Sequence, residues 1–272
     1  MTGRQPLGLP PPPTVQRLRV RYAKRDRLRF TSHRDFARAL ERALRRADLP
    51  IAYSAGFSPH PKVSYANAAP TGVSSEAEYL ELGLAEHRDP DLVRRALDEA
   101  LPPGLDVLQV VEAAPGALAD LLEASLWRIQ LDGLGAEEVT AALAAFQAAD
   151  VVEVERMTKN GLRRFDARSA VTCAWVVEVE PLARAGECAV PACAIIELVV
   201  RHVTPAVRPD DVLAGLRQVA DLTPPHPPRV TRLAQGPLGG ASDEVQDPLA
   251  LDRSEDGTIK ASRPERVAGQ AC

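Results

Sequence analysis

Residues 16–22 alternate strictly, with Leu18, Val20 and Tyr22 on one side and Arg17, Arg19 and Arg21 on the other. A period of two with one apolar side predicts a half-buried strand with a basic outer face. After a charged turn at residues 24–27 the period lengthens. Phe36, Leu40, Ala43, Leu44 and Ala47 recur at helical spacing. Ser32 fits the N-cap, and Asp35 sits three residues on, where a carboxylate can reach back to the cap. Asp48 and Pro50 stop the helix. At about 100° per residue, Arg34, Arg38, Arg42, Arg45 and Arg46 gather opposite Phe36 and Leu44. Residues 51–54 and 63–68 read as strand pieces. Between them lies the loop 55–62, where Pro59 and Pro61 flank His60 and restrict its backbone. Residues 77–84 alternate again, with Tyr79 opposite Glu78; residues 89–101 are helical with Leu92, Ala96 and Leu97 inward; residues 105–111 form a strand.

Strand, helix, strand, strand, helix, strand is the split βαβ, or ferredoxin-like, order, an antiparallel sheet with helices on one face and the other face open. The second half repeats it in pattern. Trp127, Ile129 and Leu131 mark a strand, and Val139, Leu143 and Phe146 a helix. Residues 151–157 and 162–168 flank Asn160-Gly161, a strong hairpin signal. Residues 172–180 and 194–202 form a longer hairpin, followed by a helix at 209–220 and a strand at 229–234. The expected fold class is therefore α+β: two tandem ferredoxin-like halves, 15–118 and 119–240, the second with one inserted hairpin. Residues 1–14 are Pro-rich and 241–272 polar, and both read as disordered tails.

Charge changes the picture. Between Arg17 and Lys62 there are 13 Lys or Arg and 4 Asp or Glu, a net of +9 in a chain of formal charge −4. A patch of one sign attracts polyanions or an acidic partner. No apolar run approaches the ~20 residues that span a bilayer, and residues 1–14 lack a secretory h-region, so a cytoplasmic protein without a membrane role is expected. The four cysteines, Cys173, Cys188, Cys193 and Cys272, read as free thiols, and no metal site is expected. There is no Walker loop, dinucleotide glycine pattern, H-E-x-x-H or C-x3-C-x2-C motif.

The constellation best suited to chemistry is His33, His60, Lys62 and the arginine stripe, with Tyr53 and Tyr65 nearby. His33 stands at a helix N-terminus, which favours anions. An imidazole transfers protons near neutral pH. The residues read as a corner that holds an RNA phosphate backbone: His33, Arg34, Arg38, Arg42, Arg45, Arg46, His60, Lys62 and Tyr65. Two other readings stay open. One is a metal-independent endoribonuclease using His33 and His60. The other is an adaptor that docks an acidic protein.

From Arg29 to Leu82 the chain resembles the radical-SAM-linked protein family. The resemblance is carried by Ser32-His33-x-Asp35, Arg45-Arg46, Ser54-x-Gly56-Phe57-Ser58-Pro59-x-Pro61 and the Gly72, Ser75, Glu78 segment. That family is an uncharacterised domain encoded beside a radical SAM protein or fused to its C-terminus. The resemblance implies a radical SAM partner but no reaction. S-adenosylmethionine and an iron–sulfur cluster are expected only in that partner, with no cofactor in this chain. Together with the basic patch, it points to an RNA-binding accessory protein in RNA modification or processing. The tandem layout is also similar, at the level of fold, to endoribonucleases that process CRISPR repeat RNA.

Overall fold

The computed structural model describes residues 11–158, 161–177, 192–240 and 244–253. The protein is a mixed α+β chain with four α-helices and antiparallel sheets among these residues. It divides into two compact units. The first ends at Leu121 and takes up the chain again at Pro248; the second runs from Leu122 to Asp247.

In the first unit the order is β1 (Gln16–Lys24), α1 (His33–Arg46), β2 (Val63–Ala66), β3 (Ser74–Leu84), α2 (Pro90–Ala100) and β4 (Val107–Glu112). The strands lie in the order β4-β1-β3-β2, each pair antiparallel. Val20 stands opposite both Leu80 and Val110. Leu18, Val20, Tyr22, Leu80 and Leu82 form one core with Phe36, Leu40 and Leu44 of α1 and Val93 and Leu97 of α2. Ser32 caps α1 as its sequence predicts: its hydroxyl accepts from the Asp35 amide at 3.2 Å and donates to the Asp35 carboxylate at 2.7 Å. Asp89 caps α2, accepting from the Asp91 amide at 2.8 Å.

Two sequence expectations are corrected here. Leu92 is exposed and Val93 is buried. Leu92 lies about 140° around the helix from Leu97, whereas Val93 is about 40° away, so only Val93 shares the inward stripe. The second correction concerns the basic side of β1, which stays exposed at Arg17 but is closed over at Arg19. Arg19 is 1% exposed. Its Nη1 donates to both oxygens of Asp252 at 2.8 and 2.9 Å, its Nη2 to the Ala114 and Gly116 carbonyls, and its Nε to Glu81 at 3.3 Å. Asp252 also accepts from the Ala114 amide at 2.8 Å. Residues 244–253, placed by the sequence in a tail, thus include a packed segment: Leu249 is fully buried and a 3-10 turn, Ala250–Asp252, delivers the carboxylate. Of the expected tails, residues 1–10, 241–243 and 254–272 lie outside the described residues.

The second unit contains β5 (Ala124–Asp132), α3 (Ala136–Ala148), the hairpin β6 (Glu153–Thr158) and β7 (Gly161–Asp166), β8 (Val171–Val177), β9 (Cys193–Arg201), α4 (Pro209–Ala220) and β10 (Arg229–Gly236). Its sheet order is β10-β5-β9-β8, again antiparallel throughout. Trp127, Ile129 and Leu131 are buried on β5, and Val139, Leu143 and Phe146 on α3. Gly215 lets α4 close on α3, since a Cβ there would stand 2.7 Å from the Phe146 ring. Asn160 of the expected turn lies outside the described residues. Cys193 is a free thiol, but Cys173, also expected free, is disulfide-bonded. No helix among the described residues is long and apolar enough to cross a membrane.

Candidate nucleic-acid interface

The inward stripe of α1 fixes the direction of everything opposite it. Phe36 stacks on Tyr22 with ring centroids 4.4 Å apart and nearly parallel planes, 3° from one another. With Leu40 and Leu44 also buried, Arg34, Arg38, Arg42, Arg45 and Arg46 all stand exposed. Arg38 lies 3.9 Å from Asp35, and Arg46 donates to the Ala100 carbonyl. Arg34, Arg42 and Arg45 form no ion pair among the described residues. Arg42 and Arg46 also border a cleft of about 480 Å³ toward Glu99 and Leu101.

The other cations of the N-terminal patch have a different fate. Besides Arg19, Lys24 is buried and donates to the Ala69 and Pro70 carbonyls, both at 3.2 Å. The Nε of Arg21 donates to the Glu76 carbonyl at 2.9 Å. Arg25 is clamped by Glu76 and Asp106, with bonds of 2.7 and 2.6 Å. The net charge read from the sequence therefore overstates the field at the surface. Its exposed remainder is concentrated on α1.

His33 opens α1 and packs edge-on against Tyr65, ring centroids 4.7 Å apart at 86°. Burial, reinforced by the charge of Glu41, pushes the Tyr65 hydroxyl up to about 12. It is therefore a neutral hydrogen-bonding group and not a phenolate at physiological pH. Tyr65 belongs to the core side of β2, opposite Leu80. Alternation places Lys62 and Ser64 on the reverse side, where Ser64 stands opposite Glu81. His60 is exposed and borders a cleft with Lys62 on that reverse side. The structure thus joins His33 to Tyr65 and His60 to Lys62, and separates the two histidines across β2.

A family described as "uncharacterized protein conserved in bacteria (DUF2344)" matches residues 17–209. The chain belongs to this DUF2344 family. The matched span holds β1 except Gln16, all of α1 and the 55–62 loop; Asp252, the partner of Arg19, lies beyond it. No curated protein matches the chain. Among solved structures, an unknown protein from Galdieria sulphuraria is similar over 80% of this chain and 96% of its own, at 15% identity and a TM-score of 0.22.

Within the DUF2344 span, sequence reasoning gave no site role to two exposed aromatics, Phe57 and Phe30. Phe57 is 72% exposed and Phe30 58%, with the Arg29 guanidinium 4.7 Å from the Phe30 ring centroid. The signal was present: Phe57 sits between Gly56 and Pro59 in a loop with no helix or strand phase, so no core awaited it. Gly56 at φ 135° permits the chain reversal that presents it. In the second unit, His202 was also overlooked. Its Nδ1 donates to the Leu122 carbonyl at 2.6 Å, which leaves Nε2 to accept from the Ser125 hydroxyl at 2.8 Å. Burial holds its pKa below the ordinary imidazole value, and the Arg232 charge adds to that, against the opposing effect of the Leu122 bond. No group of three or more His, Cys, Asp or Glu among the described residues could hold a metal ion.

Proposed function

We propose that this chain is an RNA-binding accessory protein that works with a separate radical SAM enzyme in RNA modification or processing. The observation that carries the reading is the outer side of α1, where Arg34, Arg42 and Arg45 are exposed and free of ion pairs among the described residues. Guanidiniums that no carboxylate among the described residues engages are suited to phosphates, which accept their hydrogen bonds in pairs. Exposed Phe57 and Phe30 add flat apolar surfaces on which unpaired bases stack. His33, at the helix N-terminus, and Tyr65 complete the surface on that side of β2. The radical SAM partner rests on the family resemblance, and it would bring the S-adenosylmethionine and the iron–sulfur cluster. We place the complex in the cytoplasm. The strand order in each unit, with the last strand beside the first and the third beside the second, supports reading both as ferredoxin-like modules. The ribonuclease reading loses ground because it needs His33 and His60 at one phosphate, and they stand on opposite sides of β2.

The test is a salt titration of affinity for single-stranded RNA. Each phosphate contact contributes a slope of about −0.7 in log affinity against log salt. Replacing Arg38 and Arg45 together with alanine should flatten the slope by roughly 1.4, for all RNA sequences alike, because phosphates carry no base information. An unchanged slope would overturn the reading and favour an adaptor for an acidic protein.

A further inference from the structure

On the reverse side of β2, away from the α1 arginines, Thr14, Arg17, Ser54, His60, Lys62 and Ser64 border a cleft of about 310 Å³. We propose that this cleft is a phosphomonoester site, which takes either the terminal phosphate of an RNA strand or a free mononucleotide. The identity of the carrier rests on the RNA reading above; the phosphate chemistry does not.

The walls are built by hydrogen bonds rather than by chance proximity. Ser54 and His60 are tied twice, the Ser54 amide donating to the His60 carbonyl at 2.9 Å and the His60 amide to the Ser54 hydroxyl at 3.0 Å. The Lys62 amide donates to the Ala52 carbonyl and the Gly83 amide to the Lys62 carbonyl. Lys62 Nζ donates to the Thr14 hydroxyl at 3.0 Å, which leaves two of its three protons and its charge unengaged among the described residues. Ser54 accepts from His60, so its own hydroxyl proton is available to a ligand oxygen. Arg17 is exposed and without an ion pair among the described residues. The carboxylate of this lining, Glu81, is already engaged by Arg19. Two cations without an ion pair among the described residues, hydroxyl donors and an imidazole in a small cleft match the dense acceptor array of a phosphomonoester.

Gly83 makes the closure possible. A Cβ there would stand 3.1 Å from the Thr14 methyl and 3.2 Å from Lys62 Cβ, so a larger residue forces these two side chains of the cleft to shift by a few tenths of an ångström. This position is a backbone requirement of the site and not of the core, since Gly83 lies on the side of β3 away from Leu82 and Leu84.

The experiment is calorimetric titration of the full chain with inorganic phosphate, adenosine 5′-monophosphate and adenosine. The monophosphate should bind, inorganic phosphate should compete with it, and adenosine should be weaker by about tenfold or more, as for loss of a charge-assisted contact. Lys62→Met should weaken the monophosphate by a similar factor, and Gly83→Ala should weaken it as well. The double Arg38→Ala, Arg45→Ala variant should leave it within about twofold, since those side chains are on α1, so failure here and failure of the α1 reading are separable. Short oligoribonucleotides with a 5′-phosphate or a 5′-hydroxyl identify the source. A preference for the phosphorylated end that disappears in Lys62→Met assigns the strand terminus; monophosphate binding without that preference assigns the free nucleotide. Equal binding of adenosine and its monophosphate, or an unchanged monophosphate affinity in Lys62→Met, overturns the proposal.

Discussion

Arg19 and Arg38 are the same residue type within one basic stretch, and the fold treats them oppositely. Arg19 sits on β1, a central strand of its sheet whose far side is covered at that position, and the donors of its guanidinium are engaged by Asp252, Glu81 and two carbonyls. Arg38 sits on a helix with one buried side and keeps only a 3.9 Å approach to an exposed Asp35. A buried guanidinium costs several kcal/mol in lost hydration unless it is fully partnered, whereas an exposed pair contributes about 0–1 kcal/mol. The contrast separates charge that maintains a structure from charge that remains available to a ligand. A count of arginines cannot make that separation.

Four experiments can break or sharpen this contrast. The largest effect belongs to Arg19→Met, which strands the buried Asp252 carboxylate and should cost about 3–5 kcal/mol in urea unfolding. Pairing it with Asp252→Leu should recover part of the loss, because the uncompensated charge goes with it. A loss below about 1 kcal/mol for the single change would mean that the pair is not a structural clasp. Next comes Arg25→Gln, which releases Glu76 and Asp106 at a half-exposed site and should cost about 1 kcal/mol; thermal melting resolves it. A pH-dependent effect follows from His202. Its folded pKa is depressed, so the unfolded chain binds the proton first as acid is added. Stability should be fully present above the ordinary imidazole value of about 6.5 and should decline as pH falls from there toward the lower folded value. Comparing His202→Gln with the parent across that window isolates the contribution; parallel curves would rule it out. The smallest effect is the most diagnostic. Arg38→Ala with Arg45→Ala should change stability by no more than about 0.5 kcal/mol, while the RNA salt slope falls. A large loss of stability would place α1 with β1 as structural charge.

The helix was legible in advance because its information is local. Ser32, Asp35 and the Phe36, Leu40, Leu44 spacing lie within a few turns, and the exposure of the arginines follows from where those apolar residues point. The order of strands and helices was legible for the same reason. What covers the second side of β1 was not. An alternating strand reads alike whether its polar side meets water or a carboxylate 233 residues away. Lys24 shows the same limit, since its acceptors are backbone carbonyls that no side-chain pattern announces. The separation of His33 from His60 hinged on register: only the pairing of Tyr65 with Leu80 fixes which side of β2 each neighbour takes. Cys173 was misread because nothing in the sequence calls for an oxidising compartment, and a sequence alone does not specify disulfide pairing.

The bond between Arg19 and Asp252 also sets a clock. A ribosome that has released Arg19 must add 233 more residues before its partner exists, roughly ten to fifty seconds of synthesis at 5–20 residues per second. Throughout that interval the nascent sheet carries a cation on a side that cannot yet close over it. The first module to emerge therefore waits for its last contact until the chain has been made through residues 122–247 of the second.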